Sequence, residues 1–190
     1  MNFKIEKEEV VFEDRYQMIK AEITQDTFGG GKMNHQRLAF HRGNSVAILM
    51  FEKDTQNIIL TKQFRYPAIK NNDDWLLEIP AGTLEQGESP VNCMVRETLE
   101  ETGYNIENPE KISSFYNSPG ACTEKCFLYY TEVSKSDKIE SGGGVDDENE
   151  DIQIVKLPVS EIKTWLSEKI IDAKTIIALQ WFLMNHNTNH

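Results

Sequence analysis

Residues 82–104 read Gly82-Thr-Leu-Glu-Gln-Gly-Glu88-Ser89-Pro90-Val91-Asn-Cys-Met-Val95-Arg96-Glu97-Thr98-Leu99-Glu100-Glu101-Thr102-Gly103-Tyr104, and this stretch decides the fold. Ser89 can accept from the first free N–H groups of a helix, and Pro90 suits its first position. Gly103 supplies the left-handed residue that ends it. On the helix so bounded, Glu97, Glu100 and Glu101 stand at i, i+3 and i+4 and lie side by side. Val91, Val95 and Leu99 recur at i, i+4 and i+8, so the spacing predicts that this stripe packs while the acidic face stays open. Three like charges together mildly destabilise a helix. A hard divalent cation, which takes oxygen ligands and keeps room for phosphate oxygens, removes that conflict. An acidic cluster is ordinarily a solvated face. The glycine loop before this one and Arg96 in register with it argue against that ordinary case.

The stretch resembles the Nudix box: Gly, five residues, Glu, seven residues, Arg-Glu, an aliphatic, any residue, Glu-Glu, any residue, Gly, an aliphatic. Gly82, Glu88, Arg96, Glu97, Glu100, Glu101 and Gly103 fill its seven fixed positions. Thr98 and Tyr104 depart from its two aliphatic positions, which concern packing rather than chemistry. The resemblance implies metal ligands at Glu97, Glu100 and Glu101 and at the backbone carbonyl of Ala81. It implies Mg²⁺ as cofactor, two or more ions, with Mn²⁺ as a substitute. Gly82, Glu88, Arg96 and Gly103 take structural roles in the motif, Arg96 orienting Glu88 or a helix carboxylate.

Length and composition agree with an enzyme built on one real core: 190 residues, 39% of them hydrophobic. No apolar run approaches the roughly 20 residues that span a bilayer, and the N-terminus has no signal-like apolar segment, so the expected location is the cytoplasm. Cys93, Cys122 and Cys126 include no C-x-x-C pair and read as reduced thiols. A net charge of −11 argues against a nucleic-acid partner. It is compatible with a small anionic substrate carried by metal ions. His35, His41, His186 and His190 show no metal-ligand spacing.

The first half of the chain reads as strands: Phe3 to Phe12, Tyr16 to Thr24, a turn at Phe28-Gly29-Gly30-Gly31, and Met33 to Phe40. Ser45 to Phe51 and Ile58 to Tyr66 form a hairpin through Asp54-Thr55-Gln56-Asn57, and Trp75 to Ile79 follows. After the box helix come strands near Ile112 to Tyr116, Cys126 to Val133 and Ile152 to Leu157. Two helices close the chain, one after Ser160 and one after the cap Asp172. This is an α+β pattern. The resemblance specifies it as a Nudix fold, an α/β/α sandwich with a mixed sheet and an N-terminal antiparallel β region, divided into residues 1–42, for dimerisation, and 43–190, the hydrolase domain.

Beyond the box, Arg42-Gly43-Asn44, Gln63-Phe64-Arg65-Tyr66-Pro67, Leu77-Glu78-Ile79-Pro80-Ala81-Gly82, Ser118-Pro119-Gly120, Thr123-Glu124 and Ala173-Lys174-Thr175 occur in the order found in the nucleoside-diphosphate-sugar pyrophosphatases. This Nudix branch contains ADP-ribose and GDP-mannose hydrolases, and it implies a homodimer acting on a nucleoside diphosphate sugar. A further acid outside the box serves there as base or ligand, with three candidates: Glu148 and Glu150 in the acidic run 146–151, and Glu124. Glu148-Asn149-Glu150-Asp151 matches the ADP-ribose type of loop, Gly142-Gly143-Gly144-Val145-Asp146-Asp147-Glu148 the GDP-mannose type, and Glu148, common to both, is the first choice for the base.

Hydrolysis of ADP-ribose to AMP and ribose 5-phosphate is the first expectation. The alternative is GDP-mannose giving GMP and mannose 1-phosphate. A third, of another class, is a nucleotide-binding module without catalysis, which an intact glutamate set disfavours. Arg65 is a candidate phosphate contact, against a surface ion pair. Phe28, Phe40 and Trp75 are candidates to stack on a base, against ordinary packing.

Overall fold

In a computed structural model, which describes residues 1–145 and 150–186, the chain forms ten strands and three α-helices in two compact units. One unit comprises Met1–Asn44 with Tyr116–Lys125, and the other Ser45–Phe115 with the chain from Cys126 onward.

The first unit is a three-stranded antiparallel meander: β1 (Phe3–Glu13), β2 (Gln17–Asp26) and β3 (Lys32–His41). Its β2–β3 register runs unbroken from Gln17 opposite His41 to Asp26 opposite Lys32. Phe3, Ile5, Val10, Phe12, Met33 and Leu38 are exposed on it. The segment Ser118–Thr123 docks on its last strand: Phe40 N–H donates to Ala121 O at 2.8 Å and Thr123 N–H to Phe40 O at 3.0 Å.

The second unit is organised by β4 (Ser45–Glu52), a strand buried along its whole length. Because successive side chains point to opposite faces, β4 feeds two cores. Ala47, Leu49 and Phe51 join Ile162, Leu179 and Phe182 of the closing helices, α2 (Ile162–Glu168) and α3 (Ala173–Asn185). Val46, Ile48 and Met50 join Cys93, Met94 and Tyr104 on the side of α1 (Pro90–Thr102) and its C-terminal exit. Helices therefore cover both faces of a mixed sheet, the α/β/α sandwich.

That sheet runs β10 (Gln153–Pro158), β5 (Asn57–Phe64), β4, β9 (Lys125–Val133) and β8 (Glu110–Tyr116), with β4 and β9 parallel. β4 and β5 pair only from Met50–Ile59 to Glu52–Asn57. Past that point β5 takes β6 (Trp75–Glu78) as its neighbour, and β4 takes β7 (Ala81–Thr83). The wedge between the two strands is thus filled by the segment that leads into the glycine loop. Ile48 N–H fixes the corner by donating to Pro80 O at 2.9 Å.

The caps of α1 and α3 follow their local sequence. Ser89 accepts from Asn92 N–H, Gly103 is left-handed with φ 76°, and Asp172 accepts from Thr175 N–H. The packing face of α1 is different from the predicted one. Val91 is exposed and Val95 and Leu99 only half-buried, while Cys93, Met94, Thr98, Glu101 and Thr102 are buried. Threonine can take the inner face because its hydroxyl finds a local carbonyl: Thr98 Oγ1 donates to Met94 O at 2.6 Å and Thr102 Oγ1 to Thr98 O at 2.5 Å. Nor is the acidic face open throughout, since Glu101 is 3% exposed.

All three cysteines are free, with Cys93 and Cys126 buried. Among the described residues no helix is long and apolar enough to cross a membrane.

Candidate active site

The glycine loop and the carboxylate helix meet at Gly82. A Cβ there would lie 1.8 Å from Glu97 Cδ and 2.1 Å from Glu97 Oε1, so only glycine lets this strand pass the glutamate. Arg96 is the hub of the acidic face. Its Nη1 reaches Glu100 Oε2 at 3.0 Å, and its Nη2 reaches Glu97 Oε1 at 3.1 Å and Glu88 Oε2 at 3.2 Å. Nε donates to Glu88 Oε1 at 3.3 Å, so Glu88 holds the guanidinium two-pronged and orients it toward the helix. The bond from Arg96 keeps the Glu88 carboxyl below its ordinary range.

Glu101 points inward to β7, where its Oε2 accepts Ala81 N–H at 3.1 Å. Burial pushes its carboxyl well above the usual range, and the charges of Glu97 and Glu150 push the same way against the Ala81 hydrogen bond and Arg65. Burial likewise raises Glu97 to about 7, with Glu100 and Glu150 adding to the rise and Arg96 opposing it. The site sets the carboxyl groups of Glu88, Glu97 and Glu100 around one guanidinium, Arg96, with that of Glu101 beside them on Ala81 N–H. Among the described residues no three His, Cys, Asp or Glu side chains converge on one point. Arg96 instead engages Glu97 and Glu100 together, and Ala81 N–H engages Glu101. An all-oxygen donor set rich in carboxyl groups fits a hard divalent cation.

Arg65 sits at the neighbouring edge with its fork closed on Glu78: Nε to Oε1 at 2.8 Å and Nη2 to Oε2 at 3.1 Å. Lys174, at the start of α3, bonds the same carboxylate and also Asp172 Oδ1 at 3.0 Å. Burial would raise the Glu78 carboxyl, but Lys174 and Arg65 outweigh it and hold it at about 2. Thr175 completes the join, accepting Ile79 N–H at 2.8 Å and donating to Asp172 at 2.6 Å. This network escaped the sequence reading as a unit. Its members lie 96 residues apart, and the only local signal was the cap at Asp172, which places Lys174 in the first turn of α3.

Trp75 is half-exposed at the edge strand, packed edge-on against Phe64 at 5.6 Å. In the meander unit, Phe28 is fully exposed at the β2–β3 turn, and Phe40 packs edge-on against Tyr16 at 5.4 Å. Glu124 belongs to that unit too, buried and 3.9 Å from Arg42 Nη1. Glu150 is the loop acid whose charge is felt at Glu97 and Glu101. Glu148 lies outside the described residues. His41 Nδ1 bonds Thr123 Oγ1 at 2.8 Å and His186 Nε2 bonds Tyr130 Oη at 2.9 Å, while His190 lies outside the described residues.

A glycine loop folded onto a helix of three neighbouring glutamates, inside an α/β/α sandwich, defines a class of phosphoanhydride hydrolase. The NUDIX domain model matches residues 41–179, and the chain belongs to the Nudix family of hydrolases. It is similar to the GDP-mannose pyrophosphatase of Cronobacter sakazakii, 33% identical over 185 residues that cover 95% of this chain and 94% of that one. The GDP-mannose pyrophosphatase of Pectobacterium atrosepticum is 40% identical over 154 residues, 80% of this chain and 78% of that one. That of Klebsiella pneumoniae subsp. pneumoniae is 31% identical over 196 residues, 100% of this chain and 98% of that one. These likenesses place the chain in the nucleoside-diphosphate-sugar pyrophosphatase branch. Nudix hydrolases generally need a divalent metal such as Mg²⁺.

Proposed function

We propose that this chain hydrolyses the pyrophosphate bond of GDP-mannose to GMP and mannose 1-phosphate. ADP-ribose, the first expectation from sequence, gives way to the alternative because the relatives that match along nearly the whole chain are GDP-mannose pyrophosphatases. The observation that carries the catalytic part is the set of Glu97, Glu100 and Glu101 against Gly82 and Ala81.

Glu97, Glu100 and Glu101, with the Ala81 carbonyl, would hold two or more Mg²⁺ ions. Such ions activate water and neutralise charge on attacking and leaving oxygens. The chain's own residues do the rest. Arg96, braced by Glu88, keeps Glu97 and Glu100 in register. Glu150 supplies a carboxylate to take the proton of the attacking water, and its charge, felt at Glu97 and Glu101, supports placing it there. Glu148, the first choice from the loop signatures, and Glu124 are its competitors. Arg65, held two-pronged by Glu78 but partly exposed, is proposed to contact a substrate phosphate. Phe28 and Trp75 are proposed to contact the nucleoside. The exposed apolar strands of the meander support a homodimer built through residues 1–42. A cytoplasmic location belongs to the same proposal.

Two measurements test this reading. The kcat/KM values for GDP-mannose, ADP-ribose and nucleoside triphosphates with Mg²⁺ should rank GDP-mannose first, and a higher value for ADP-ribose restores the other substrate. Glu148→Gln, Glu150→Gln and Glu124→Gln should separate the base: Glu150→Gln lowers kcat strongly with KM little changed. Normal turnover by both loop variants beside an inactive Glu124→Gln refutes the loop assignment.

A further inference from the structure

Gly142-Gly143-Gly144 would pass as slack tether from composition alone. Its backbone is instead tied down at Gly143 and Gly144. Helix α1 ends with Gly103 N–H on Leu99 O at 2.8 Å, which leaves the Glu100 and Glu101 carbonyls among the last-turn groups that need donors from elsewhere. Gly144 N–H reaches Glu100 O at 3.1 Å and Gly143 N–H reaches Glu101 O at 2.9 Å. Just before them, Ile139 and Glu140 N–H both reach Gly103 O, at 2.9 and 3.1 Å. Just after the acidic run, Ile152 N–H returns to Gly143 O at 3.1 Å. Both ends of the segment 144–151 are thus tied at one glycine, and that glycine is tied to a carboxylate residue of the helix.

Side chains are excluded at Gly142 and Gly144. A Cβ on Gly142 would lie 2.5 Å from Thr102 C and 2.8 Å from Gly103 N, and one on Gly144 would lie 2.6 Å from Glu150 Cβ. The three φ angles are 67°, 115° and 90°, all in the region that disfavours L side chains.

We propose that Gly142–Gly144 is a collar that ties the chain at residues 143–144 and at Ile152 to the C-terminal end of the carboxylate helix, so that these glycines are positioning residues for Glu150. A slack tether would let Glu150 sample many distances from the helix. The collar makes one offset the rule, by hydrogen bonds to the very residues, Glu100 and Glu101, whose side chains form the site. The inference rests on the reading that a loop acid serves turnover. Misplacing a catalytic group by about 1 Å can cost roughly 100-fold in rate, so the collar has leverage on kcat even though it touches no substrate.

Gly143→Ala is the mild perturbation, because a Cβ there meets nothing nearer than Ile152 O at 3.7 Å while the φ of 115° is strained. In the full-length protein with Mg²⁺ it should lower kcat roughly 10- to 100-fold and leave KM within about twofold. Combined with Glu150→Gln it should lower kcat no further than Glu150→Gln alone, since both changes remove the same act. Independently of any variant, the amide protons of Gly143, Gly144 and Ile152 should exchange slowly in the wild-type chain. Fast exchange at these amides, normal kcat in Gly143→Ala beside a slow Glu150→Gln, or losses that multiply in the double variant would each overturn the collar. Normal kcat in both Glu148→Gln and Glu150→Gln would instead refute the loop-acid reading, a separate failure.

Discussion

Glu78→Gln removes the carboxylate shared by Arg65 and Lys174, and its cost follows from the buried network. In the folded chain the two cations hold the Glu78 carboxyl at about 2, against an ordinary 4.5. That difference corresponds to roughly 3 kcal/mol of stability at neutral pH. Because the folded value is depressed, the contribution is complete above the unfolded value and is lost as pH falls from about 4.5 toward 2. By linkage, about 1 kcal/mol of it has gone by pH 4 and about 2 kcal/mol by pH 3. Urea unfolding at pH 7 should therefore find Glu78→Gln less stable by roughly 3 kcal/mol, or about 6–12 °C in Tm. The gap between wild type and variant should narrow as pH falls toward 3. Equal stability at pH 7, or a gap that does not change between pH 5 and pH 3, would refute the role given to this network.

Glu101→Gln keeps size and removes charge at the buried member of the carboxylate set, so turnover should fall by several orders of magnitude while the far-UV circular dichroism stays unchanged; wild-type-like activity of the folded variant would remove the ligand assignment. Gly82→Ala drives a Cβ into the Glu97 carboxyl and should cost at least about 10-fold in kcat, checked by steady-state kinetics beside a thermal melt. Deleting residues up to Gln25 strips β1 and most of β2, and should weaken both dimerisation and substrate affinity; a fully active monomer in light scattering would contradict the dimer proposal.

Local signals carried the architecture where the chain reports on itself. The continuous apolar run within Ser45–Glu52 and the turn at Asp54–Asn57 specify the central hairpin, and Ser89, Gly103 and Asp172 mark helix ends by side-chain and backbone chemistry that needs no tertiary partner. The inner face of α1 was not legible, because it is lined by Cys93, Met94, Thr98 and Thr102 rather than by the Val91, Val95 and Leu99 stripe. A hydrophobicity pattern cannot anticipate threonines that satisfy their hydroxyls on their own helix. The short β7 strand was missed for a related reason: three residues, Ala81–Thr83, owe their pairing to the divergence of β4 from β5.

At the site, the spacing of the box residues put the acids on one helix face, yet the partners of Arg65 and of the tri-glycine run depend on contacts between distant segments. Arg65 reads equally as a phosphate contact or as an ion pair, and its partner Glu78 is identified only when the distant segments are placed together. Gly142–Gly144 reads as a spacer until its N–H groups are found on the carbonyls of Glu100 and Glu101.

The central claim is that this fold cleaves the anhydride of GDP-mannose. A ³¹P NMR time course of GDP-mannose with the purified full-length protein and Mg²⁺ reads the broken bond directly. The account predicts the loss of both diphosphate resonances and the growth of two phosphomonoester signals, those of GMP and mannose 1-phosphate, with the reaction halted by EDTA. Persistence of a diphosphate as GDP with free mannose, or an unchanged spectrum from folded protein, would contradict it.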